Sequence, residues 1–248
     1  MAVRTNLEKS QIESVLSGQV DEEVIRLMAL QLQLDPRKLI CSAHKEWRPS
    51  SLSICGLKQF NLLYGKMCVN AYVIWEVDSL NAWIFDTGPD HRPICDFLKS
   101  HSLRVDAIFL THTHGDHIAC LSELLEETGN PRIYVHATEC FAECTAIEEG
   151  FSLSLSSLSL SSFHTHGHSV GGITYFLNGL TKPIAFVGDA VFAGSMGGGM
   201  VSYGDALRTN REKIMTLPNE TILCPGHGPM TTVMEEKKHN PFFPEFKT

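Results

Sequence analysis

The chain has 248 residues, of which 43% are hydrophobic, and this suffices for one large domain with a small appendage. Its formal net charge is −8 and it contains no basic run, so nucleic acid is not an expected partner. No apolar run reaches the length of a membrane span and the first ten residues are too polar for a signal peptide, so we expect no membrane contact.

The first 45 residues are predicted to be helical. A short apolar stripe comes first, and Asp21 is then predicted to cap a second helix with acidic residues in its first turn. Asp35 and Pro36 are predicted to begin a third short turn. We therefore interpret residues 1–50 as a helical segment appended to a domain that comprises residues 51–248.

From about residue 52 the pattern changes to strands that alternate with helices, which is typical of a layered α/β fold. Strands are predicted near residues 69–77, 81–86, 105–111, 132–136, 158–164, 172–177, 183–189 and 221–225. Helices are predicted near residues 92–100, 118–128, 137–148 and 204–216. The serine- and leucine-rich stretch alternates strictly from residue 158 onward, which favours a strand over disorder.

The eight cysteines show no CxxC pair and no framework spacing. In a chain of this length they are interpreted as reduced thiols, which predicts a cytoplasmic protein. Cys140 and Cys144 would lie one helical turn apart, and their neighbours favour a buried helix face over a metal site.

Four metal-capable side chains follow one apolar run within six residues: His112, His114, Asp116 and His117. The run is typical of a buried strand, so the cluster lies on the loop at its C-terminal end, where α/β proteins place their chemistry. His112 and His114 point the same way in an extended loop, and the turn at Gly115 brings the other two beside them. Imidazole and carboxylate suit zinc and other first-row divalent ions.

Four further positions at strand ends or turns carry side chains of the same kind. They are Asp86, His168, Asp189 and His227. Because each follows or ends an apolar run, these side chains are expected to meet the first cluster at one edge of the fold. Together the set predicts a dinuclear site in preference to a single ion.

These motifs in order resemble the metallo-β-lactamase superfamily. They are Asp-Thr-Gly-Pro (86–89), His-x-His-x-Asp-His (112–117), Gly-His-Ser (167–169), Gly-Asp (188–189) and Pro-Gly-His-Gly-Pro (225–229). The resemblance covers about residues 60–245 and is greatest to the short forms of the glyoxalase II (hydroxyacylglutathione hydrolase) branch. It implies an αββα sandwich, in which two sheets lie between helices and the metals lie at one edge.

The resemblance also implies a role for each of the motif residues. One metal would be held by His112, His114 and His168, the second by Asp116, His117 and His227, and Asp189 would bridge them. The ions would be zinc, with iron or manganese as alternatives, and a bridging hydroxide would attack the acyl carbon of a small-molecule thioester. Asp116 and Asp189 are the expected catalytic carboxylates, and Asp86 is expected to accept a hydrogen bond from a ligand histidine or the bound water.

The chain departs from the glyoxalase II pattern at Gly198, which occupies the place of a basic residue that contacts glutathione. The short forms also lack the C-terminal helical domain that supplies further glutathione contacts. The leading hypothesis is therefore a dinuclear hydrolase of a thioester or a similar activated acyl compound. Two alternatives stay open: a lactonase, and a persulfide dioxygenase that would hold one iron through the positions of His112, His168 and Asp189.

Overall fold

The computed structural model describes residues 7–247, so the first six residues of the predicted segment 1–50 and Thr248 lie outside the described part. Three helices begin the described chain: α1 (Lys9–Leu16), α2 (Glu22–Gln31) and α3 (Pro36–Ala43). Asp21 caps α2 as predicted, since its carboxylate accepts the backbone N–H groups of Glu23 and Val24 at 3.1 Å. Asp35 caps α3 in the same way, and α3 is a helix of eight residues where only a turn was predicted.

The first sheet has six strands in chain order. They are β1 (Leu57–Tyr64), β2 (Met67–Trp75), β3 (Asn81–Phe85), β4 (Arg104–Phe109), β5 (Arg132–His136) and β6 (Cys144–Ile147). The pairs β1–β2 and β2–β3 are antiparallel, whereas β3 to β6 are parallel. The carboxyl ends of the parallel strands therefore lie at one edge, where the loop that carries His112 leaves the sheet.

The second sheet has six strands in the order β14-β13-β10-β9-β8-β7. They are β7 (Ser152–Leu155), β8 (Leu158–His164), β9 (Ile173–Asn178), β10 (Ile184–Gly188), β13 (Ile222–Pro225) and β14 (Thr231–Thr232). A separate two-stranded hairpin is formed by β11 (Val191–Phe192) and β12 (Ser195–Met196). The alternating stretch is thus a β7–β8 hairpin, and the predicted strand at 158–164 is confirmed.

The two sheets pack face to face around an aromatic core. Phe85 of the first sheet stacks on Phe186 of the second, with ring centroids 3.6 Å apart. The other helical elements are α4 (Arg92–Ser100), α5 (Gly115–Ile118), α6 (Leu121–Thr128), α7 (Tyr203–Thr209), the π-helical turn Asn210–Ile214 and α8 (Val233–His239). Separate apolar clusters cover the outer faces, with α4 and α6 on the first sheet and Ile214 and α8 on the second. This arrangement confirms the predicted αββα sandwich.

The predicted helix at 137–148 is wrong. Ala137–Glu139 form a single 3₁₀ turn, and Cys144–Ile147 form strand β6, which pairs in parallel with β5. Pairing with the exposed edge of β5 outweighs local helix propensity here. Cys140 and Cys144 consequently do not share a helix face: Cys140 is exposed, and Cys144 packs against the outer apolar cluster of the first sheet.

All eight cysteines are free in the structure. Within residues 7–247 no helix combines the length and the apolar character that a membrane crossing requires.

The N-terminal helices dock on the C-terminal end of the chain. The buried Lys38 ammonium donates hydrogen bonds to three backbone carbonyls, those of Lys237 at 2.7 Å, Phe243 at 3.0 Å and Phe246 at 2.9 Å. The ring of Trp47 stacks on His239, with centroids 4.5 Å apart and planes 8° apart. These contacts join two parts of the chain that are about two hundred residues apart in sequence.

Candidate metal centre

Seven side chains that the sequence singled out converge at one edge of the two sheets. They form three overlapping groups in which all the potential ligand atoms lie within 4.8 Å of one another. The groups are His112 with His114 and His168, His112 with His117 and Asp189, and Asp116 with His117 and His227. The convergence follows from the topology, because the loops after β4 and β10 and the loop after β13 leave the sheets at the same edge.

The first group consists of three histidines whose nitrogens point at one another. His114 Nδ1 lies 3.1 Å from His112 Nε2 and 3.0 Å from His168 Nε2. Four ligand atoms placed tetrahedrally at about 2.0–2.1 Å from a zinc ion would lie roughly 3.3–3.4 Å from one another. The three nitrogens therefore have nearly the separation that a shared cation requires.

The second group contains two histidines and a carboxylate. Asp116 Oδ2 lies 3.2 Å from His227 Nε2 and 3.7 Å from His117 Nε2. This group is partly exposed at Asp116 and His227, whereas His117 is fully buried. Solvent therefore reaches this group at Asp116 and His227.

Asp189 lies between the two groups. Its Oδ2 is 3.3 Å from His168 Nε2 in the first group and 3.4 Å from His227 Nε2 in the second. Its Oδ1 is 3.4 Å from His117 Nε2. One carboxylate thus contacts both sets of nitrogens, which is the position that a bridging ligand occupies.

Four of the five histidines have their outer ring nitrogen, Nδ1, hydrogen-bonded to an oxygen. The pairs are His112 with Thr111 Oγ1 at 3.1 Å, His117 with Asp86 Oδ2 at 2.9 Å, His168 with the Gly198 carbonyl at 2.9 Å, and His227 with the Cys68 carbonyl at 2.6 Å. A carbonyl or carboxylate oxygen can only accept, and the Thr111 hydroxyl already donates to Asp86. Each Nδ1 therefore carries a proton, and each Nε2 faces the centre as the ring nitrogen available to a cation.

Two buried atoms test whether cations fit this donor set. His117 Nε2 and Asp189 Oδ1 are buried and lack a hydrogen-bond partner among the described residues. Orphaned buried polar atoms are uncommon because each one costs free energy. Gly226 leaves the space beside them open, because a Cβ at this position would collide with both Asp189 Oδ1 and the His117 ring. The chemistry and the space both match divalent first-row ions.

The charges at the centre agree with this interpretation. Burial holds the pKa of His112 well below its ordinary value, so this ring is neutral and free to act as a ligand. Burial also lowers the pKa of His117, but Asp86 and Asp189 outweigh it and raise that pKa to about 10, so in the absence of a cation this ring is protonated and a divalent ion would displace its Nε2 proton. Burial raises the pKa of Asp189, yet the adjacent rings of His117 and His227 hold it well below its usual range. The carboxylates thus supply the negative charge that cations need.

Asp86 supports the centre from outside. It accepts the His117 Nδ1–H, as predicted, and also the backbone N–H and the hydroxyl of Thr111, both at 2.8 Å. Its backbone has a φ of 54°, in the left-handed region that non-glycine residues seldom adopt. These three hydrogen bonds stabilise that conformation and fix the orientation of the His117 ring.

Glu139 is a supporting residue that the sequence analysis missed. Its carboxylate accepts the Thr113 N–H at 2.7 Å and hydroxyl at 2.9 Å, and the Gly171 N–H at 2.7 Å. Burial raises the pKa of Glu139, but these hydrogen bonds outweigh it, and the net effect is a lowered pKa. Glu139 therefore joins the loop of His112 and His114 to the turn of His168. It stands alone in a segment predicted as a helix, so no motif indicated it.

His164 and His166 lie outside all three metal groups. The His164 ring stacks on His136 with centroids 3.9 Å apart, and His166 follows at 4.4 Å. His164 Nε2 is 2.9 Å from the Val170 carbonyl. These two histidines therefore pack beside the centre and belong to none of its metal groups.

Comparison with known proteins agrees with the fold and the site. Residues 65–143 match the family model of the metallo-beta-lactamase superfamily. The probable metallo-hydrolase YqgX of Bacillus subtilis (strain 168) is 32% identical over 206 residues, which are 73% of this chain and 95% of that protein. The crystal structure of BLEG-1 B3 metallo-beta-lactamase superposes with a TM-score of 0.64 at 31% identity, covering 75% of this chain and 99% of that one. The chain belongs to the metallo-beta-lactamase superfamily and is a metal-dependent hydrolase.

A more specifically named relative matches over a shorter region. The hydroxyacylglutathione hydrolase of Pectobacterium carotovorum subsp. carotovorum (strain PC1) is 33% identical over 147 residues. That region is 58% of this chain and 56% of the relative, so about half of each protein is compared.

Proposed function

We propose that this protein uses two divalent metal ions to hydrolyse a thioester or a similarly activated acyl compound. The observation that carries the proposal is the position of Asp189, whose two oxygens face both groups of nitrogens at 3.3–3.4 Å. Zinc is the preferred ion, with iron or manganese as substitutes, because mixed histidine and carboxylate sites select weakly among these ions.

Each of the seven residues has a role in this proposal. His112, His114 and His168 hold one ion, Asp116, His117 and His227 hold the other, and Asp189 contacts both. When bound, two such ions lower the pKa of water and polarise a substrate carbonyl. Asp189 offsets the repulsion between two dications, and the partly exposed Asp116 lies on the side open to substrate.

The substrate class follows from the chemistry available. Among the described residues the metal groups consist of carboxylates and imidazoles and contain no cysteine, which fits water as the nucleophile. A thiolate is a good leaving group and needs little protonation, so a thioester is suited to a centre without a dedicated general acid. The partial match to a hydroxyacylglutathione hydrolase supports the same class.

Metal analysis of the purified protein tests the proposal directly. We expect two ions per chain, and we expect His227→Ala to lose one ion together with most thioester hydrolysis, because His227 Nε2 contacts both Asp116 and Asp189. One ion at full occupancy, combined with an active His227→Ala variant, would contradict the two-metal centre. One iron per chain with oxygen uptake on glutathione persulfide would instead indicate the dioxygenase alternative.

A further inference from the structure

A cavity of about 680 Å³ lies between the N-terminal segment and the C-terminal helix. Its volume is typical of a small-molecule site, since such sites range over about 300–1,000 Å³. The lining residues that matter here are Arg37, Trp47, Arg48, Ala193, Pro229 and Lys238.

Three cations line this cavity without a carboxylate partner. Arg37, Arg48 and Lys238 are exposed, and none of them forms an ion pair within residues 7–247. Asp35 also lines the cavity, but it is buried and its carboxylate accepts backbone N–H groups at the start of α3. In a chain with a net charge of −8, such a collection of unpaired cations favours an anionic ligand.

Lys38 lines the same cavity but is not part of the proposed site. All three donors of its ammonium are used by the carbonyls of Lys237, Phe243 and Phe246. It holds the N-terminal segment against the C-terminal end, and so it positions Arg37 on one side of the cavity and Lys238 on the other.

The cavity begins beside the metal centre. Pro229 follows the proposed ligand His227 by two residues, which is at most about 7 Å of extended chain. Ala193 follows Phe192, whose ring centroid lies 5.7 Å from that of His227. A thioester whose carbonyl lies at the metal centre can therefore extend its thiol half into the cavity.

We infer that this cavity binds the phosphate groups of a phosphorylated thiol, so that the substrate is an acyl thioester of the coenzyme A type. The inference rests on the proposed thioester hydrolysis and specifies its substrate. Guanidinium groups bind phosphate oxygens in a bidentate manner, and two arginines with a lysine match a multiply charged phosphate cluster. Glutathione fits these cations less well, because it carries an ammonium group beside its carboxylates.

Binding of adenosine bisphosphate, the nucleotide half of coenzyme A without its thiol, tests the cavity separately from catalysis. We would measure its Kd by calorimetry with the full chain. The variant Arg37→Ala/Arg48→Ala should weaken binding at least about tenfold, since a charge-assisted contact contributes about 1.5–3 kcal/mol. The control Arg26→Ala/Lys182→Ala changes the net charge equally with exposed residues outside the cavity, and its Kd should stay within about twofold of wild type.

Kinetics with matched thioesters complete the test. Acetyl-coenzyme A and the uncharged S-acetyl-N-acetylcysteamine present the same acyl group, so only the former should show a higher KM in Arg37→Ala/Arg48→Ala. If the nucleotide binds through these arginines but no thioester is hydrolysed, the proposed function fails while the cavity assignment stands. If the nucleotide does not bind to wild type, or if it binds to Arg37→Ala/Arg48→Ala as tightly as to the control variant, the cavity assignment fails. Preferential use of a glutathione thioester through Arg37 and Arg48 would overturn the phosphate assignment.

Discussion

Asp189 and His117 face each other in the interior, with Oδ1 of the carboxylate 3.4 Å from Nε2 of the ring. Neither atom has a hydrogen-bond partner among the described residues, although both are buried. The other nitrogen of His117 donates to Asp86, so Nε2 is the ring atom that can ligate a cation after losing its proton. A divalent cation at this position could be ligated by both atoms, because it would replace the proton on Nε2.

Asp189→Asn should abolish turnover and leave the fold largely intact. The amide keeps the shape of the carboxylate but removes the charge that lies between both groups of nitrogens. We expect a loss of activity on the order of hundreds-fold or more and the loss of at least one metal ion. Activity and metal content of the variant would be compared with those of Asp96→Asn, an exposed residue on α4 that should behave as wild type. A variant that kept two ions and a near-normal rate would show that Asp189 is not the bridge.

Much of this centre could be predicted from the sequence because its proposed ligands lie at strand ends. A run such as Ala185–Asp189 identifies both a buried strand and the residue that leaves it. The hydrogen bonds that orient the histidines of the centre have no such pattern in the sequence. The carbonyls of Cys68 and Gly198 can belong to any residue type, and only the folded chain brings them to His227 and His168.

Long-range contacts also explain the errors outside the centre. Residues 144–147 form a strand because β5 offers an unpaired edge. The sequence around these residues does not show that this edge is available to them. The cavity between Arg37 and Lys238 requires residues two hundred positions apart to meet. Helix caps such as Asp21, in contrast, depend on neighbours in sequence and were predicted correctly.

Glu236 should make the stability of the protein depend on pH. Burial raises the pKa of this fully buried carboxyl group from 4.5 to about 7, although hydrogen bonds from Thr231, Asn240 and Gly194 act in the opposite direction. The folded chain therefore holds the proton more tightly than the unfolded chain. The resulting stabilisation is complete below the unfolded pKa of 4.5 and is lost as pH rises through about 7.

Glu236→Gln resembles the protonated side chain at every pH and tests this linkage. Near pH 4 the variant and wild type should have similar free energies of unfolding, whereas near pH 8 the variant should be more stable by at most roughly 3 kcal/mol. Denaturant unfolding at several pH values measures the difference, with the exposed Glu220→Gln as the control. A constant difference between Glu236→Gln and wild type across this range would contradict the assigned pKa.

Truncation at about residue 45 tests whether the proposed segment 1–50 acts on substrate affinity or assembly. It removes α1 to α3 with the Lys38 ammonium and exposes three carbonyls at the C-terminal end, but it removes none of the proposed metal ligands. We therefore expect two ions per chain with an altered KM or an altered oligomeric mass. Lys38→Met keeps the helices and removes only the ammonium. It therefore shows whether an effect on KM or assembly requires the docked position of the segment or only its presence. A truncated chain that matches the full chain in mass, stability and kinetics would leave the segment without either role.

The last prediction concerns glutathione as the thiol half of the substrate. Gly198 occupies the place of a basic residue in the glyoxalase II pattern, and one missing charge-assisted hydrogen bond reduces affinity by roughly ten- to a hundredfold. Wild-type protein should therefore hydrolyse S-lactoylglutathione with a high KM, while kcat can stay substantial because the proposed ligands are complete. Gly198→Lys should lower that KM, since Gly198 is exposed and a Cβ there would meet only Met200 Cγ at 3.8 Å. Gly204→Lys adds the same charge at an open position on α7 and should leave KM unchanged. A wild-type KM in the low micromolar range would refute this prediction and indicate an ordinary glyoxalase II.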